Sequence, residues 1–195
     1  FYFCSTVCTE YNTLFQWLST GLAHFHFCLF LRLFCRCFQC RSTVNTEFTS
    51  RIQHTLRKYP YLVAEEKGTL LGYAYAGPFH ERSAYDWAVE TSIYVDQSLK
   101  HRGIGRRLHD ALETALREQG ILNMNACIAY PPKEDEHLDK NSVEFHTHMG
   151  YRLVGEFHKC GYKFNHWYNM VWMEKQIGEH HKNQPAPIAF KEFHK

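Results

Sequence analysis

The chain has 195 residues, 45% of them hydrophobic, which is enough for one domain with a sizeable core. Its formal net charge of +2 gives no support for a general nucleic-acid-binding function, so we expect no nucleic-acid partner. Six of the eight cysteines lie in the first 40 residues. The other two, Cys127 and Cys160, are typical of free thiols in a reducing compartment, and we expect a cytoplasmic protein.

Residues 1–44 differ from the rest of the chain, because Phe and Cys cluster there and Glu10 is the one acidic residue. Three interpretations stay open. A membrane helix needs about 20 apolar residues, but Arg32 and Arg36 interrupt the run, and we expect no membrane partner. A frameshifted or mis-started translation joined to a genuine domain is the interpretation that we favour. The third is a zinc site, whose ligands would be Cys35, Cys37, Cys40 and a distant Cys4 or Cys8. The segment has no paired Cys-x-x-Cys knuckles, so we expect no metal.

The next stretch predicts a helix followed by a hairpin. Residues 46–58 carry apolar side chains at helical spacing. Residues 61–65 and 69–75 are predicted strands, and Lys67-Gly68 between them is a turn signal. We expect Gly77-Pro78 to end the second strand, with a loop after it.

The middle of the chain predicts a strand, a long helix and a second strand. The first strand covers residues 87–95. The helix starts near Ile104 and stops at Gly120, since a glycine just past the last apolar residue is a common helix end. The second strand covers residues 123–130. The buried face of the helix is predicted from three- and four-residue spacing to hold Ile104, Leu108, Ala111, Leu112 and Ala115.

The last part of the chain predicts a short helix and two final strands. A polar loop over residues 131–140 precedes a helix over residues 141–149, which Gly150 closes. Strands are predicted at residues 151–157 and 168–175, joined by a connection that contains Gly and Asn. Residues 179–195 are predicted to be a mobile tail.

The stretch from Val95 to Leu108 is the most informative for function, because it joins a strand to a helix through a basic loop. Gly103 and Gly105 let a ligand approach the main chain. Backbone N–H groups at a helix start point outward, and the helix dipole adds partial positive charge there. The loop lacks the Lys-Ser/Thr of a Walker loop and the third glycine of a dinucleotide fingerprint. It therefore suits the diphosphate of a different cofactor, with an ordinary turn before an exposed basic helix as the alternative.

Several ordered motifs give a family resemblance. Lys100-His-Arg-Gly-Ile-Gly105 resembles the Arg/Gln-x-x-Gly-x-Gly/Ala motif of the GCN5-related N-acetyltransferases (GNAT), which bind the pyrophosphate of acetyl-CoA. The phosphinothricin N-acetyltransferase branch is also similar, over roughly residues 45–178, which we take as the N-acetyltransferase domain. The segments that carry this second resemblance are 57–65, 72–78, 84–90, 146–151 and 161–168.

The resemblance implies a mixed α/β fold with a twisted, mostly antiparallel sheet, flanked by helices and split centrally at the acetyl-CoA site. It implies acetyl-CoA as cosubstrate, with the pantetheine arm along the main chain of Ile93, Tyr94 and Val95. It also implies a small-molecule amine acceptor and a homodimer. The loop residues expected to hold the cosubstrate are Lys100, His101, Arg102, Gly103, Ile104, Gly105 and Arg106.

Acetyl transfer to an amine requires removal of a proton from the amine, stabilisation of the oxyanion and departure of the thiolate. Glu90 is the first candidate base, since it interrupts an apolar strand, although an exposed carboxylate on an alternating strand is equally compatible. His146 is the second candidate, either as the acid that protonates the leaving thiolate or as an alternative base. It is otherwise one of the many histidines with no part in the chemistry. Asn141 is a cosubstrate ligand or a helix N-cap.

Three further residues are expected to shape the acceptor site. Arg82 can pair with a carboxylate or phosphinate, or it is a solvated loop residue, and Tyr85 and Trp87 follow it. The sequence thus predicts an acyltransferase that moves an acetyl group from acetyl-CoA to the amino group of a small amino acid or analogue, such as phosphinothricin, methionine sulfone or methionine sulfoximine. The alternative is a non-catalytic acyl-CoA-binding or regulatory module.

Overall fold

A computed structural model describes residues 26–27, 57–135 and 138–190. Most of the segment 1–44 and residues 46–56 of the predicted first helix lie outside this part; Arg57 and Lys58 are helical. The chain forms two compact units. The first comprises Phe1–Ala76, Ile93–Leu116 and Ile188–Lys195, and the second comprises Gly77–Ser92 and Arg117–Pro187.

The described residues form strands and two α-helices, which confirms the predicted mixed α/β fold with a mostly antiparallel sheet. Short 3₁₀ turns lie at Ser83–Tyr85 and Gln97–Leu99. None of the helices in the described part is long and apolar enough to cross a bilayer. The elements are β1 His26–Phe27, β2 Tyr61–Glu66, β3 Thr69–Pro78, β4 Ala88–Val95, α1 Ile104–Glu118, β5 Asn123–Tyr130, α2 Asn141–His148, β6 Arg152–Lys163 and β7 His166–Gln176.

The hairpin of β2 and β3 in the first unit follows from its turn. Lys67 and Gly68 have φ of 50° and 81°, so both central turn residues are left-handed, as a two-residue hairpin turn requires. The strands pair antiparallel from Glu66↔Thr69 to Tyr61↔Tyr75. The prediction that Gly77-Pro78 ends β3 is confirmed, although the strand includes both residues and runs to Pro78 instead of residue 75. Proline is tolerated at such a strand end, where its missing N–H interrupts no continuing ladder.

Helix α1 buries one stripe of apolar side chains. Ile104, Leu108, Leu112 and Leu116 recur every four residues and are at most 5% exposed. The predicted Ala111 and Ala115 are only half-buried, because they lie at the margin of this stripe. The helix ends at Glu118, and Gly120 is left-handed with φ of 80°, which confirms the predicted stop.

Gly72 allows two segments of the first unit to approach closely. A Cβ at Gly72 would lie 2.6 Å from the carbonyl oxygen of Tyr94 and 3.2 Å from Cα of Val95. Neither atom belongs to a flexible side chain, so only glycine fits here without moving the backbone. Gly72 therefore fixes where the end of β4 lies against β3.

The second unit is built on three pairings. The first part of β4 pairs parallel with β5, from Ala88↔Asn123 to Glu90↔Asn125. Strand β5 pairs antiparallel with β7 along its whole length, and β7 pairs with β6. The side chains of the core alternate along these strands and are at most 2% exposed: Val89, Met124, Ala126, Val171 and Met173.

Strands β6 and β7 are present as predicted, but they are longer than residues 151–157 and 168–175 and form one hairpin. The hairpin turns at Phe164-Asn165, whose φ values are 53° and 59°. Its register shifts between Phe157 and Gly161, and Lys159 is left-handed with φ of 51°. This bulge interrupts the alternation of side chains, which is the pattern that a strand prediction requires.

Replacing Gly72 by Ala is expected to lower the free energy of unfolding by about 1–3 kcal/mol, because the added Cβ meets backbone. Chemical denaturation measures the change. Gly77→Ala in the same strand is the matched control, since a Cβ there has no neighbour within 4 Å. Equal stability of the two variants would show that β3 and β4 do not approach as described.

Candidate active site

The predicted site residues divide between the two units. Glu90, His146, Asn141 and the three acceptor-site residues belong to the second unit. The strand segment Ile93–Val95 and the glycine loop 100–106 belong to the first.

Glu90 lies in the middle of β4 and is half-buried. Its neighbours Val89 and Thr91 are buried at 0% and 4% exposure and point to the opposite face of the strand. Burial raises the pKa of the Glu90 carboxyl above its usual range. The carboxylate is therefore held in an environment of lowered polarity, unlike an ordinary exposed side chain on an alternating strand.

Asn125 is hydrogen-bonded to both neighbours of Glu90 in β4. It lies directly opposite Glu90 in the parallel register and is 8% exposed. Its side-chain Nδ2 donates to the carbonyl oxygen of Val89 at 3.1 Å, and its backbone carbonyl oxygen accepts from Oγ1 of Thr91 at 3.1 Å. These two bonds fix the position of the strand at Glu90. We did not predict Asn125; the available signal was the alternation of Asn123, Asn125 and Cys127 along β5.

His146 is buried in α2 as a neutral ring. Its Nδ1 lies 2.7 Å from the carbonyl oxygen of Ser142, which can only accept, so Nδ1 carries the proton. Nε2 is buried and has no hydrogen-bond partner among the described residues. Burial lowers the pKa of His146, and the hydrogen bond to Ser142 opposes this. A neutral Nε2 is an acceptor, which favours the base over the acid among the roles predicted for this residue.

An aromatic contact links His146 to the strand of Glu90. The ring of His146 meets that of Tyr151 edge-on, with centroids 4.9 Å apart. The hydroxyl of Tyr151 is 3.4 Å from Oγ1 of Thr91, the residue that follows Glu90. These contacts reach β4 on the face of Thr91, which is opposite to the face that carries the Glu90 carboxylate.

A cavity of about 380 Å³ opens on the face of β4 that carries Glu90. Ala88 lines this cavity, and Glu90, which is not itself a lining residue, lies two residues further along the same face. The predicted Tyr85 and Trp87 also line it, whereas the predicted Arg82 is exposed and is not a lining residue. The lining residues that we did not predict include Phe79, Asn123, Asn125, Glu174, His180, His181 and Gln184.

Asn141 is the first residue of α2, and its interpretation as the N-cap was wrong. Lys140 holds the N-cap position, and Oδ1 of Asp139 accepts the backbone N–H of Asn141 at 3.2 Å. The carboxylate of Asp139 therefore satisfies one of the open donors of this helix start. A cosubstrate contact of Asn141 stays a prediction.

The glycine loop of the first unit presents backbone N–H groups at a helix start. His101 and Gly103 are left-handed, with φ of 65° and 74°, and Gly103 is exposed. The first bond of the helix runs from Arg107 N–H to the Gly103 carbonyl at 3.1 Å, so the N–H groups of the three preceding residues lie at the helix start. Five exposed basic side chains surround this point, and together with the N–H groups they fit a diphosphate: Lys100, His101, Arg102, Arg106 and Arg107.

Comparisons with known proteins show which family the chain resembles. A family model described as an acetyltransferase (GNAT) domain matches residues 37–172. The chain is 32% identical over 141 residues to the phosphinothricin N-acetyltransferase of Streptomyces viridochromogenes, covering 72% of this chain and 70% of that protein. It is 31% identical over 122 residues to the L-methionine sulfoximine/L-methionine sulfone acetyltransferase of Salmonella typhimurium, covering 63% of this chain and 67% of that protein. A GNAT superfamily phosphinothricin acetyltransferase from Sinorhizobium meliloti, solved in complex with AcCoA, matches with a TM-score of 0.60 and 30% identity, over 76% of this chain and 75% of that one.

Replacing Glu90 by Gln is expected to stabilise the fold at neutral pH. Because burial raises the pKa of Glu90 above its unfolded value, the contribution of this carboxyl to stability is full below the unfolded pKa and is lost as pH rises through the folded pKa. The Gln variant has no such loss. The difference in stability between variant and parent should therefore grow as pH rises from the unfolded to the folded pKa of Glu90, and stay constant above the folded pKa.

Urea unfolding from about pH 3 to about pH 8 measures this difference across the window in which a buried carboxyl titrates. Glu66→Gln is the control, since Glu66 is an exposed carboxylate on β2. A stability difference between Glu90→Gln and the parent that is the same at every pH would contradict the description of Glu90 as half-buried.

Proposed function

Because the chain belongs to the GNAT acetyltransferase family, we propose that it moves an acetyl group from acetyl-CoA to the amino group of a small amino acid or amino-acid analogue. The observation that carries this proposal is the position of Glu90. A carboxylate with a raised pKa lies on the face of β4 that borders a cavity of about 380 Å³, a volume suited to a small molecule.

The glycine loop is the part of the chain that fits the diphosphate of acetyl-CoA. The backbone N–H groups of Ile104, Gly105 and Arg106 would donate to phosphate oxygens, and the exposed basic side chains around them would add attraction. The main chain of Ile93–Val95 is assigned to the pantetheine arm by family resemblance. Acetyl-CoA supplies the activated acetyl thioester, and the residues of the protein hold and orient it.

Glu90 is assigned the removal of a proton from the ammonium group of the acceptor. A general base works best when its pKa approaches the working pH, and burial moves the pKa of Glu90 in that direction. The bonds from Asn125 to both neighbours of Glu90 keep the carboxylate in place during transfer. His146 can also accept a proton at Nε2, since its Nδ1–H is committed to Ser142, but its contacts reach β4 on the face opposite to Glu90.

The acceptor class follows from the relatives and from the chemistry of the cavity. Two of the similar proteins act, by name, on phosphinothricin and on methionine sulfoximine and sulfone, which are amino acids with an oxidised or phosphorus-containing side chain. The aromatic rings of Tyr85 and Trp87 offer apolar walls to such a side chain, and the amide of Asn125 offers hydrogen bonds. Arg82 lies outside this lining, and its contact with the acceptor stays a prediction.

The protein is expected to release free CoA from acetyl-CoA when phosphinothricin, methionine sulfone or methionine sulfoximine is supplied. Glu90→Gln should lower kcat about 10²–10⁴-fold, the usual contribution of a general base, while the Kd of acetyl-CoA by calorimetry stays the same. The exposed Glu66→Gln is the matched control and should keep the parent rate. Tight acetyl-CoA binding without turnover on any amine would favour the non-catalytic acyl-CoA-binding module instead.

A homodimer through the β6–β7 hairpin is also part of the proposal. The hairpin carries large apolar side chains that are 46–59% exposed, a concentration that is typical of an interface. Sedimentation equilibrium should show a dimer, and the double variant Phe157→Ser with Trp167→Ser should shift it to monomer. A parent that stays monomeric at high concentration would contradict this assignment. The exposed residues are Leu153, Val154, Phe157, Tyr162, Phe164 and Trp167.

A further inference from the structure

Residues 179–187 of the tail that follows β7 belong to the second unit and are hydrogen-bonded within it, although we expected a mobile end. Nε1 of Trp87 donates to the carbonyl oxygen of Pro185 at 2.7 Å. Nε2 of His180 lies 2.9 Å from Oδ1 of Asn123, which accepts its proton. Both partners of the tail, Trp87 and Asn123, are themselves lining residues of the cavity beside β4. These bonds hold the tail at the edge of the cavity.

The tail also contributes its own side chains to the lining. His180, His181 and Gln184 line the cavity. The backbone N–H of His181 donates to Oε1 of Gln184 at 3.1 Å, so the tail forms a local turn that places these side chains together. All three residues lie beyond residue 172, where the match to the GNAT family model ends. This part of the wall therefore lies outside the segment that matches the family model.

We propose that His181 and Gln184 of the tail determine which acceptor side chains the enzyme prefers, by donating hydrogen bonds to oxygen atoms on that side chain. This inference rests on the proposed acetyl transfer and goes beyond it. Oε1 of Gln184 is engaged by His181, so the amide Nε2, a donor, is the group that it offers to a ligand. The imidazole of His181, whose Nε2 lies 3.8 Å from Oε2 of Glu179, supplies a second donor. Oxygen-bearing side chains such as phosphinate or sulfone match this pair of donors, whereas a hydrocarbon side chain does not.

The test uses the chain of 195 residues and compares three acceptors: phosphinothricin, methionine sulfone and norleucine, whose side chain has no oxygen. The double variant His181→Ala with Gln184→Ala should lower kcat/KM for the two oxygen-bearing acceptors about tenfold or more, through KM, since it removes two hydrogen bonds. The value for norleucine should change less than about twofold, within the scatter of surface substitutions. The selectivity ratio between methionine sulfone and norleucine is thus the readout.

Lys182→Ala is the matched control, because Lys182 is an exposed tail residue outside the lining, and it should keep the parent ratio. Calorimetric Kd values for acetyl-CoA should be equal in all variants. An unchanged ratio in the double variant would overturn the proposal, and so would an equal loss for all three acceptors, which indicates a purely structural role. Failure of the parent enzyme to acetylate any of the three would instead count against the proposed function.

Discussion

The second unit depends on the hydrogen bonds that Asn125 makes to the residues on either side of Glu90. A half-buried carboxylate destabilises a strand, because its charged form loses solvation. Asn125 holds the strand at this point, because its Nδ2 donates to the Val89 carbonyl and its backbone carbonyl accepts from the Thr91 hydroxyl. The parallel register of β4 and β5 places Asn125 opposite Glu90, so one local pairing sets both the stability and the geometry of the proposed base.

A buried polar side chain also occurs in α2, where His146 is held as a neutral imidazole. The Ser142 carbonyl accepts the Nδ1 proton of His146 and so determines its tautomer. Burial then keeps the ring neutral. Burial therefore raises the pKa of Glu90 and lowers that of His146, since loss of solvent favours the uncharged form of an acid and of a base alike.

The sequence predicted those elements whose signals are local. The spacing of apolar residues in α1, the glycine stop at Gly120 and the Lys67-Gly68 turn each depend on a few neighbouring residues. Strand β5 was predicted with its observed bounds for the same reason. The full length of β6 was not predicted, because the bulge at Lys159 interrupts the alternation of side chains along the strand. The tail contacts were missed because Trp87 and Pro185 are 98 residues apart, and no local pattern records such a contact.

The bond from Trp87 to Pro185 gives the molecule an optical reporter. Indole emission responds to the polarity and hydrogen bonding around the ring, and this indole lies on the cavity wall with its N–H held by a carbonyl. Molecules that enter the cavity would change its surroundings directly. The intrinsic fluorescence of the unlabelled protein should thus follow occupancy of the cavity in real time, without a dye or a coupled enzyme.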